Sequence, residues 1–330
     1  MPELPEVETV KRGLHKLVVG KVIKSVTHNN PKSFPNSKTD VTTFLIGSSI
    51  IDVRRRAKVL IIDLDTDYSL VVHLKMTGQL VFVAEQQTGQ RAKSREQSKN
   101  SEVKNGNNDA AKSITYNLKP ITSSDEVRFG AGHPNDSLIG KLPDKSTRVE
   151  ITFSDDSKLF FNDQRKFGWM RLLPTIEVPN IDFMKRVGPE PLEETFTPKV
   201  FIQRIRKRNN SVIKAAILDQ TVLAGVGNIY ADESLWGAKI HPVTRVKDVS
   251  DERLKKLHYE IRYVLNLSIE KGGSTNKNYV NAEGKRGSYT DFARVFRREG
   301  QDCPIHPGTA IIKIRVAGRG THICLKCQKI

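Results

Sequence analysis

All three cysteines of this chain, Cys303, Cys324 and Cys327, lie in its C-terminal tail, and their spacing restricts what that tail can become. An odd number crowded into one short stretch makes a poor disulfide framework and a good metal knuckle. Cys303 is followed three positions on by His306, and Cys324 in the same way by Cys327, with a strand pair between. Two ligand pairs of that spacing suit a tetrahedral zinc ion held between two β-knuckles. A cysteine-only set needs a fourth cysteine, so His306 is the expected fourth ligand. His322, two residues before Cys324 on the same strand face, competes but is poorly placed to complete a knuckle. The tail is therefore expected to be a β-hairpin zinc finger holding one structural Zn2+. Between the knuckles VAGRGT (residues 316–321) reads as a hairpin turn that carries Arg319 on a thin tip.

Charge says what the rest of the chain is drawn to. Lys and Arg number 54 against 37 Asp and Glu, a formal net charge of +17 over 330 residues. In a soluble chain of this size, nucleic acid is the usual reason for such a balance. Acidic membrane lipid is the rival, yet no basic amphipathic helix or lipidation signal supports it. No apolar run is long enough to span a bilayer. The opening PELPEVE is acidic, which argues against a secretory signal and for a cytoplasmic protein. Charge alone does not separate DNA from RNA.

The length allows two domains or three small ones. From Pro5 to about Val18 the apolar residues Val7, Val10, Leu14 and Leu17 recur at helical spacing. Pro5 and Glu6 suit the first turn, where a missing N–H is harmless and a carboxylate favours the dipole. Strand patterns follow at 21–27, 49–54, 59–64, 69–74 and 79–83, then at 148–153 and 158–162. Between them, residues 84–147 are polar and poor in large apolar side chains, and cannot bury enough surface to offset the entropy of ordering. They read as a long insertion, disordered at least in its first half. Helical patterns at 201–207, 212–218, 229–236 and 251–270 come next, separated by Pro, Gly and Asn breaks. The expected class is α+β: an antiparallel β-sandwich with a packed helix (1–178), a helical domain (179–289) and the zinc finger (290–330).

Ordered motifs then add up. They are PELPEVET (2–9), RRAK (55–58), HLKMTG (73–78), DQRKFG (163–168), GPEPL (188–192), the run from Lys214 through AGVGNIYADESL (224–235), and VFRREG (295–300) with the zinc knuckle. In this set, and over nearly its whole length apart from the insertion, the chain resembles bacterial formamidopyrimidine-DNA glycosylase. The resemblance implies a base-excision-repair glycosylase and AP lyase of the helix–two-turn–helix type, acting as a monomer on double-stranded DNA with an oxidised purine.

The implied chemistry fits the residues. Once Met1 is removed, Pro2 presents a secondary amine that can form an iminium at a sugar C1′. An α-amino group titrates near neutrality, so a useful fraction is unprotonated without special help. By resemblance Glu3 shuttles protons, Lys58 contacts the lesion's phosphate or base and assists β-elimination, and Arg319 assists δ-elimination. Glu6 either orients the opened sugar or simply serves the helix N-terminus. An enzyme that extrudes its base must fill the hole: Met76, Arg165 and Phe167 match the family's intercalating trio, with Arg165 facing the orphaned base. His73 belongs to the same DNA-contacting motif. Lys214 and Asn228 are the implied phosphate contacts, Glu233 lies near the flipped base or braces its helix, and 272–289 corresponds to the lesion-recognition loop.

Three positions depart from the family pattern. Lys75 stands where a small residue is usual beside the wedge methionine, and His306 replaces a cysteine. The insertion ends just before Arg148, near where the family often has a DNA-contacting histidine. Two other readings remain at this level: an endonuclease VIII-like enzyme for oxidised pyrimidines, and a lesion-binding relative without catalysis. The absence of Gly at Leu4 and the complete wedge trio speak against the first, and Pro2, Glu3 and Lys58 against the second.

Overall fold

The computed structural model describes residues 2–85, 126–132, 140–274 and 289–330. Helix α1 (Leu4–Val18) opens the chain with Pro5 in its first turn. Two antiparallel sheets follow. The first runs in the order β1 (Ile23–His28), β7 (Thr147–Phe153), β8 (Lys158–Asp163), β5 (Gly78–Glu85), β6 (Glu126–Gly132). The second runs β2 (Ile50–Arg56), β3 (Val59–Leu64), β4 (Tyr68–His73), β9 (Trp169–Pro174). Strand side chains alternate between faces, and both faces of β3 are used. Leu60, Ile62 and Leu64 join the sandwich core with Leu70, Leu80, Phe82, Phe153 and the α1 residues Val7, Val10, Leu14 and Val18. Val59 and Ile61 point outward, where Val71, Val178 and the partly buried Phe183 and Met184 cover them. That double coverage is why β3 (VLIIDL) reads as an apolar run interrupted only at Asp63 rather than an alternating one.

Two strands were not expected. β9 carries the alternation of a half-buried strand but sits directly behind a loop motif that masks it. β6 lies inside the segment read as an insertion. It pairs with β5 from Gln79↔Gly132 to Glu85↔Glu126 and places Phe129 in the core. The second half of that segment is thus partly ordered sheet edge. Its first half, 86–125, lies outside the described residues, as does most of the implied lesion-recognition loop, 275–288.

The helical part is built from α2 (Pro198–Ile205), α3 (Ile213–Leu218), α4 (Asn228–Gly237) and α5 (Asp251–Glu270). Thr197 and Ser250 start α2 and α5 by accepting from backbone N–H groups three residues on. Their core includes Phe201, Ile213, Ile217, Tyr230, Leu254, Ile261 and, from the far N-terminus, Leu4. Helix α1 therefore enters the structure through the helical core and leaves it through the sandwich core. That places Pro2 and Glu3 at the junction of the two.

The C-terminal part consists of two short hairpins, β10 (Asp302–Cys303) with β11 (His306–Ala310) and β12 (Ile312–Val316) with β13 (Arg319–Ile323). The β12–β13 turn is Ala317–Gly318, with φ 48° and 75°. Two left-handed residues in a two-residue turn follow the twist of the flanking strands. Arg319 was expected in the turn; it is instead the first residue of β13, opposite Val316, and exposed.

Candidate active site

The loop AGVGN before α4 forms a cradle for the N-terminus. Leu4 N donates to Gly225 O at 3.0 Å. Gly225 has φ +79°, and a Cβ there would lie 2.6 Å from the Leu4 side chain. A Cβ on Gly227 would stand 2.2 Å from Glu3 Cδ, so this glycine is what lets the carboxyl reach Ile229 N, which donates to Oε1 at 3.1 Å. Glu3 Oε2 is buried and has no hydrogen-bond partner among the described residues. Burial pushes the Glu3 carboxyl up to about 7, helped by the Glu6 carboxylate and opposed by Lys58, the Ile229 N–H and the chain's terminal amine.

Lys58 arrives from the other side. Lys58 follows the basic run Arg54–Arg56. Its arginines are in fact each paired: Arg54 with Asp63, Arg55 with Glu8 at 2.9 Å and Glu190 at 2.8 Å, and Arg56 with Glu190 at 3.1 Å. Glu190 also accepts from Ala57 N. Held on a carboxylate of the helical half, and with Ala57 at φ 53°, the turn sends Lys58 inward, where Nζ donates to Val226 O at 3.1 Å. Lys58 is 6 % exposed. Burial pulls its ammonium down from the usual lysine range, while Glu3 and Glu6 resist and Arg319 adds to the pull. Glu3, Glu6 and Lys58 are thus buried together, with Pro2 buried next to Glu3, and Lys58 is within electrostatic reach of Arg319.

Glu6 is fully engaged. Its Oε2 accepts from Glu3 N at 2.8 Å; its Oε1 accepts from the Tyr230 hydroxyl at 2.5 Å and from Ser274 N and Oγ at 2.9 Å each. It sits in the first turn of α1, as the helix reading expects.

The expected DNA-contacting residues divide. Met76 and Phe167 are 41 % and 52 % exposed. Arg165 lies between them, its guanidinium 4.7 Å from the Phe167 ring centroid and its Nη1 donating to Met76 Sδ at 3.2 Å. The two loops that carry this trio share one buried anchor, Asp163. It accepts from the Thr77 hydroxyl, from Arg165 N at 3.1 Å and from Gly168 N at 2.6 Å. His73 lies beneath, its Nδ1 accepting from Lys75 N at 3.0 Å. Burial, with Lys75 and Lys58 nearby, pushes it down to about 3, so it is a neutral brace for the loop that carries Met76.

Lys214 departs from the expected phosphate contact. It is fully buried, with Nζ 2.6 Å from Asp232 Oδ1 and 2.6 Å from Thr321 Oγ1. It ties α3, α4 and β13 together instead of facing outward. Asn228 is partly exposed and donates to Gly320 O at 3.0 Å, beside Arg319. Glu233 is buried and accepts from Arg294 N, Val295 N and Phe296 N at 2.8–2.9 Å, so it braces the entry to the finger. Arg148 is buried and donates to Asp163 O at 2.8 Å.

Cys303, His306, Cys324 and Cys327 converge, their ligand atoms all within 4.8 Å of one another. Cys303 Sγ lies 3.5 Å from Cys327 Sγ, and His306 Nδ1 lies 3.2 Å from Cys327 Sγ and 3.9 Å from the other two sulfurs. Tetrahedral zinc with Zn–S near 2.3 Å needs S···S separations of about 3.8 Å, which these distances approach. Burial and the neighbouring sulfurs push the Cys327 thiol up, a repulsion that a dication removes. The group fits a metal ion. His322 does not belong to it: its ring nitrogens lie 3.2 Å from Asp232 Oδ2 and 3.0 Å from Glu299 Oε2.

Several of these residues escaped the sequence reading. Glu8, Asp163, Glu190, Tyr230 and Ser274 all lie within or beside quoted motifs, but their work is done by contacts distant in sequence, which no local pattern announces.

Comparison with known proteins agrees with this geometry. Family models match at two places: the formamidopyrimidine-DNA glycosylase N-terminal domain over residues 1–170, and the formamidopyrimidine-DNA glycosylase H2TH domain over residues 187–279. The formamidopyrimidine-DNA glycosylase of Streptococcus pyogenes serotype M3 is 39% identical over 332 residues, covering 100% of this chain and 99% of that one. The enzyme of the same name from Latilactobacillus sakei is 34% identical, covering 99% and 98%. Among solved structures, the Lactococcus lactis Fpg in complex with abasic-site DNA superposes with TM-score 0.76 at 30% identity, covering 99% of this chain and 100% of that one. A mutant of it bound to Fapy-dG DNA gives 0.77 at 31%, covering 100% of both. The fold and the site together define a DNA glycosylase. The chain belongs to the formamidopyrimidine-DNA glycosylase family.

Proposed function

We propose that the protein excises oxidised purines, 8-oxoguanine and formamidopyrimidines, from duplex DNA and then cuts the strand on both sides of the abasic sugar. The observation that carries the reading is the buried pairing of Glu3, whose carboxyl is raised to about 7, with Lys58, next to the buried Pro2 at the junction of the two cores. After loss of Met1, the Pro2 nitrogen attacks C1′ of the everted nucleotide. The glycosidic bond breaks with its electrons going to the base, which takes up a proton. Glu3, near neutrality in both protonation states, gives a proton to the ring oxygen as the sugar opens into the iminium. Loss of a C2′ proton then expels the 3′ phosphate, with Lys58 beside the phosphate, and a second elimination assisted by Arg319 expels the 5′ phosphate. Met76, Arg165 and Phe167 fill the stack left by the everted base. The relatives of known structure were solved with abasic and Fapy-dG DNA, which supports a lesion-bearing duplex as partner. We further propose that the Cys303–His306–Cys324–Cys327 group holds one structural zinc ion that keeps the finger folded behind Arg319.

Borohydride trapping tests the reading. A covalent adduct is expected on duplex DNA carrying 8-oxoguanine opposite cytosine, faster than on an oxidised-pyrimidine duplex, and absent in the Pro2→Gly variant despite near-parental binding. Parental cutting by Pro2→Gly would overturn the mechanism. Preference for the pyrimidine lesion would move the chain to the endonuclease VIII side.

A further inference from the structure

We infer that Tyr230 is a positioning residue for the Pro2 amine, acting through Glu6 and the Pro2–Glu3 peptide plane, with Ser268 fixing the direction of the Tyr230 hydroxyl. This rests on the Pro2 mechanism above and deepens it.

The inference begins with a buried polar chain inside an otherwise apolar helical core. Tyr230 is fully buried on α4, its ring packed 5.4 Å from that of Tyr289. A tyrosine in that position needs no hydroxyl to pack, and a buried hydroxyl without partners is costly. This one lies 2.5 Å from Glu6 Oε1 and 2.5 Å from Ser268 Oγ, itself fully buried on α5. Every named contact of Glu6 is with a donor, so its carboxylate is an acceptor there. The single proton of the Tyr230 hydroxyl must therefore point at Glu6, and the lone pair left over accepts from Ser268. Burial and the Glu6 and Glu3 carboxylates hold the phenol well above its ordinary value, so it stays a donor at any working pH.

The other oxygen of the same carboxylate accepts from Glu3 N at 2.8 Å. That N–H belongs to the peptide joining Pro2 to Glu3, so its direction sets the plane from which the proline ring projects. The N-terminal residue of a chain has no preceding peptide to hold it. Here the support comes from behind, through Ser268, Tyr230, Glu6 and the Glu3 N–H in sequence. A reacting atom displaced by about 1 Å can cost on the order of 100-fold in rate.

Tyr230→Phe keeps the ring and removes the link. The test uses the full chain after Met1 removal, with trapping on a pre-formed abasic site so that base recognition plays no part. Affinity is read on DNA carrying a reduced abasic analogue. Adduct formation should slow by about 10- to 100-fold in Tyr230→Phe, and by a smaller factor in Ser268→Ala, with affinity within about twofold of the parent in both. Trapping within twofold of the parent in Tyr230→Phe overturns the proposal. So does a loss of affinity as large as the loss of rate, because that marks a merely structural role. A parent enzyme that gives no adduct at all defeats the Pro2 mechanism, a failure distinguishable from these two.

Discussion

Pro2, Glu3, Glu6 and Lys58 are buried between two cores, while Met76, Arg165 and Phe167 stand in solvent on two loops. Both groups depend on a carboxylate for their arrangement, Glu6 in the first and Asp163 in the second. In the first group that carboxylate holds the reactive segment itself, and one oxygen of Glu3 has no partner among the described residues. In the second group, among the described residues, Asp163 binds the Thr77 side chain and backbone N–H groups, and makes no hydrogen bond to the Met76, Arg165 or Phe167 side chains. Chemistry needs groups whose charge is costly and whose position is fixed. Insertion into a base stack needs rigid loops carrying side chains that can move. The two regions should therefore answer mutation differently.

The largest effect is expected where the pocket has no slack. Gly227→Ala puts a methyl group 2.2 Å from Glu3 Cδ, so either the carboxyl leaves Ile229 N or the cradle shifts. Displacing a general acid–base group costs about 10²–10⁴ in rate, and overpacking of this kind costs about 1–3 kcal/mol of stability. Single-turnover cleavage of lesion DNA should fall by about 10³-fold. Cleavage within tenfold of the parent would mean that Glu3 tolerates movement and that the two regions are less different than they look.

Next comes the cost of keeping Glu3 ready to carry a proton. Its carboxyl titrates near 7 when folded, against an ordinary 4.5. Between those values the folded chain keeps a proton that the unfolded chain releases, so this group's contribution to stability falls as pH rises and levels off above 7. A shift of that size corresponds to about 3 kcal/mol. Urea unfolding of the parent and of Glu3→Gln at pH 5 and pH 8 checks the point. The parent should lose stability across that window relative to the variant, and parallel curves would refute the raised carboxyl.

How much of this the sequence discloses follows from the range over which each pattern acts. The four residues that fit a metal ion are legible because each pair is local and the two pairs are close: His306 joins the cluster and His322 does not, as knuckle geometry requires. Strand and helix patterns are legible wherever one face is buried, and the 20-residue helix α5 agrees with its expected bounds. β6 is hidden because its polar flanks dominate the composition of the segment that contains it. Lys214 misleads for another reason. A lysine beside a glycine-rich loop looks like a phosphate ligand until Asp232, 18 residues away, and Thr321, 107 away, are found to enclose it. The residues proposed for catalysis are ordinary as residue types. Only the resemblance singles out Pro2 and Lys58, because the burial of Lys58 and the carboxylates of Glu3 and Glu6 that oppose it come from distant parts of the chain.

The smallest effect is expected in the wedge. Phe167→Ala removes a ring that is 52 % exposed, so folding stability should change by less than about 0.5 kcal/mol. Excision of 8-oxoguanine should slow by about tenfold, on the order of one stacked base's contribution. The loss is held down by the free protein's own arrangement. Arg165 lies over the Phe167 ring at 4.7 Å, and that contact must be kept or exchanged when the ring enters the stack, so part of the ring's favourable energy is already realised without DNA. Removing the ring also frees Arg165 to meet the orphaned base. A comparison of Phe167→Ala with Arg165→Ala in single-turnover excision separates the two contributions, the arginine variant being expected to be the slower. If Phe167→Ala loses as much rate as Gly227→Ala, the exposed wedge is as tightly constrained as the buried pocket, and the contrast between them fails.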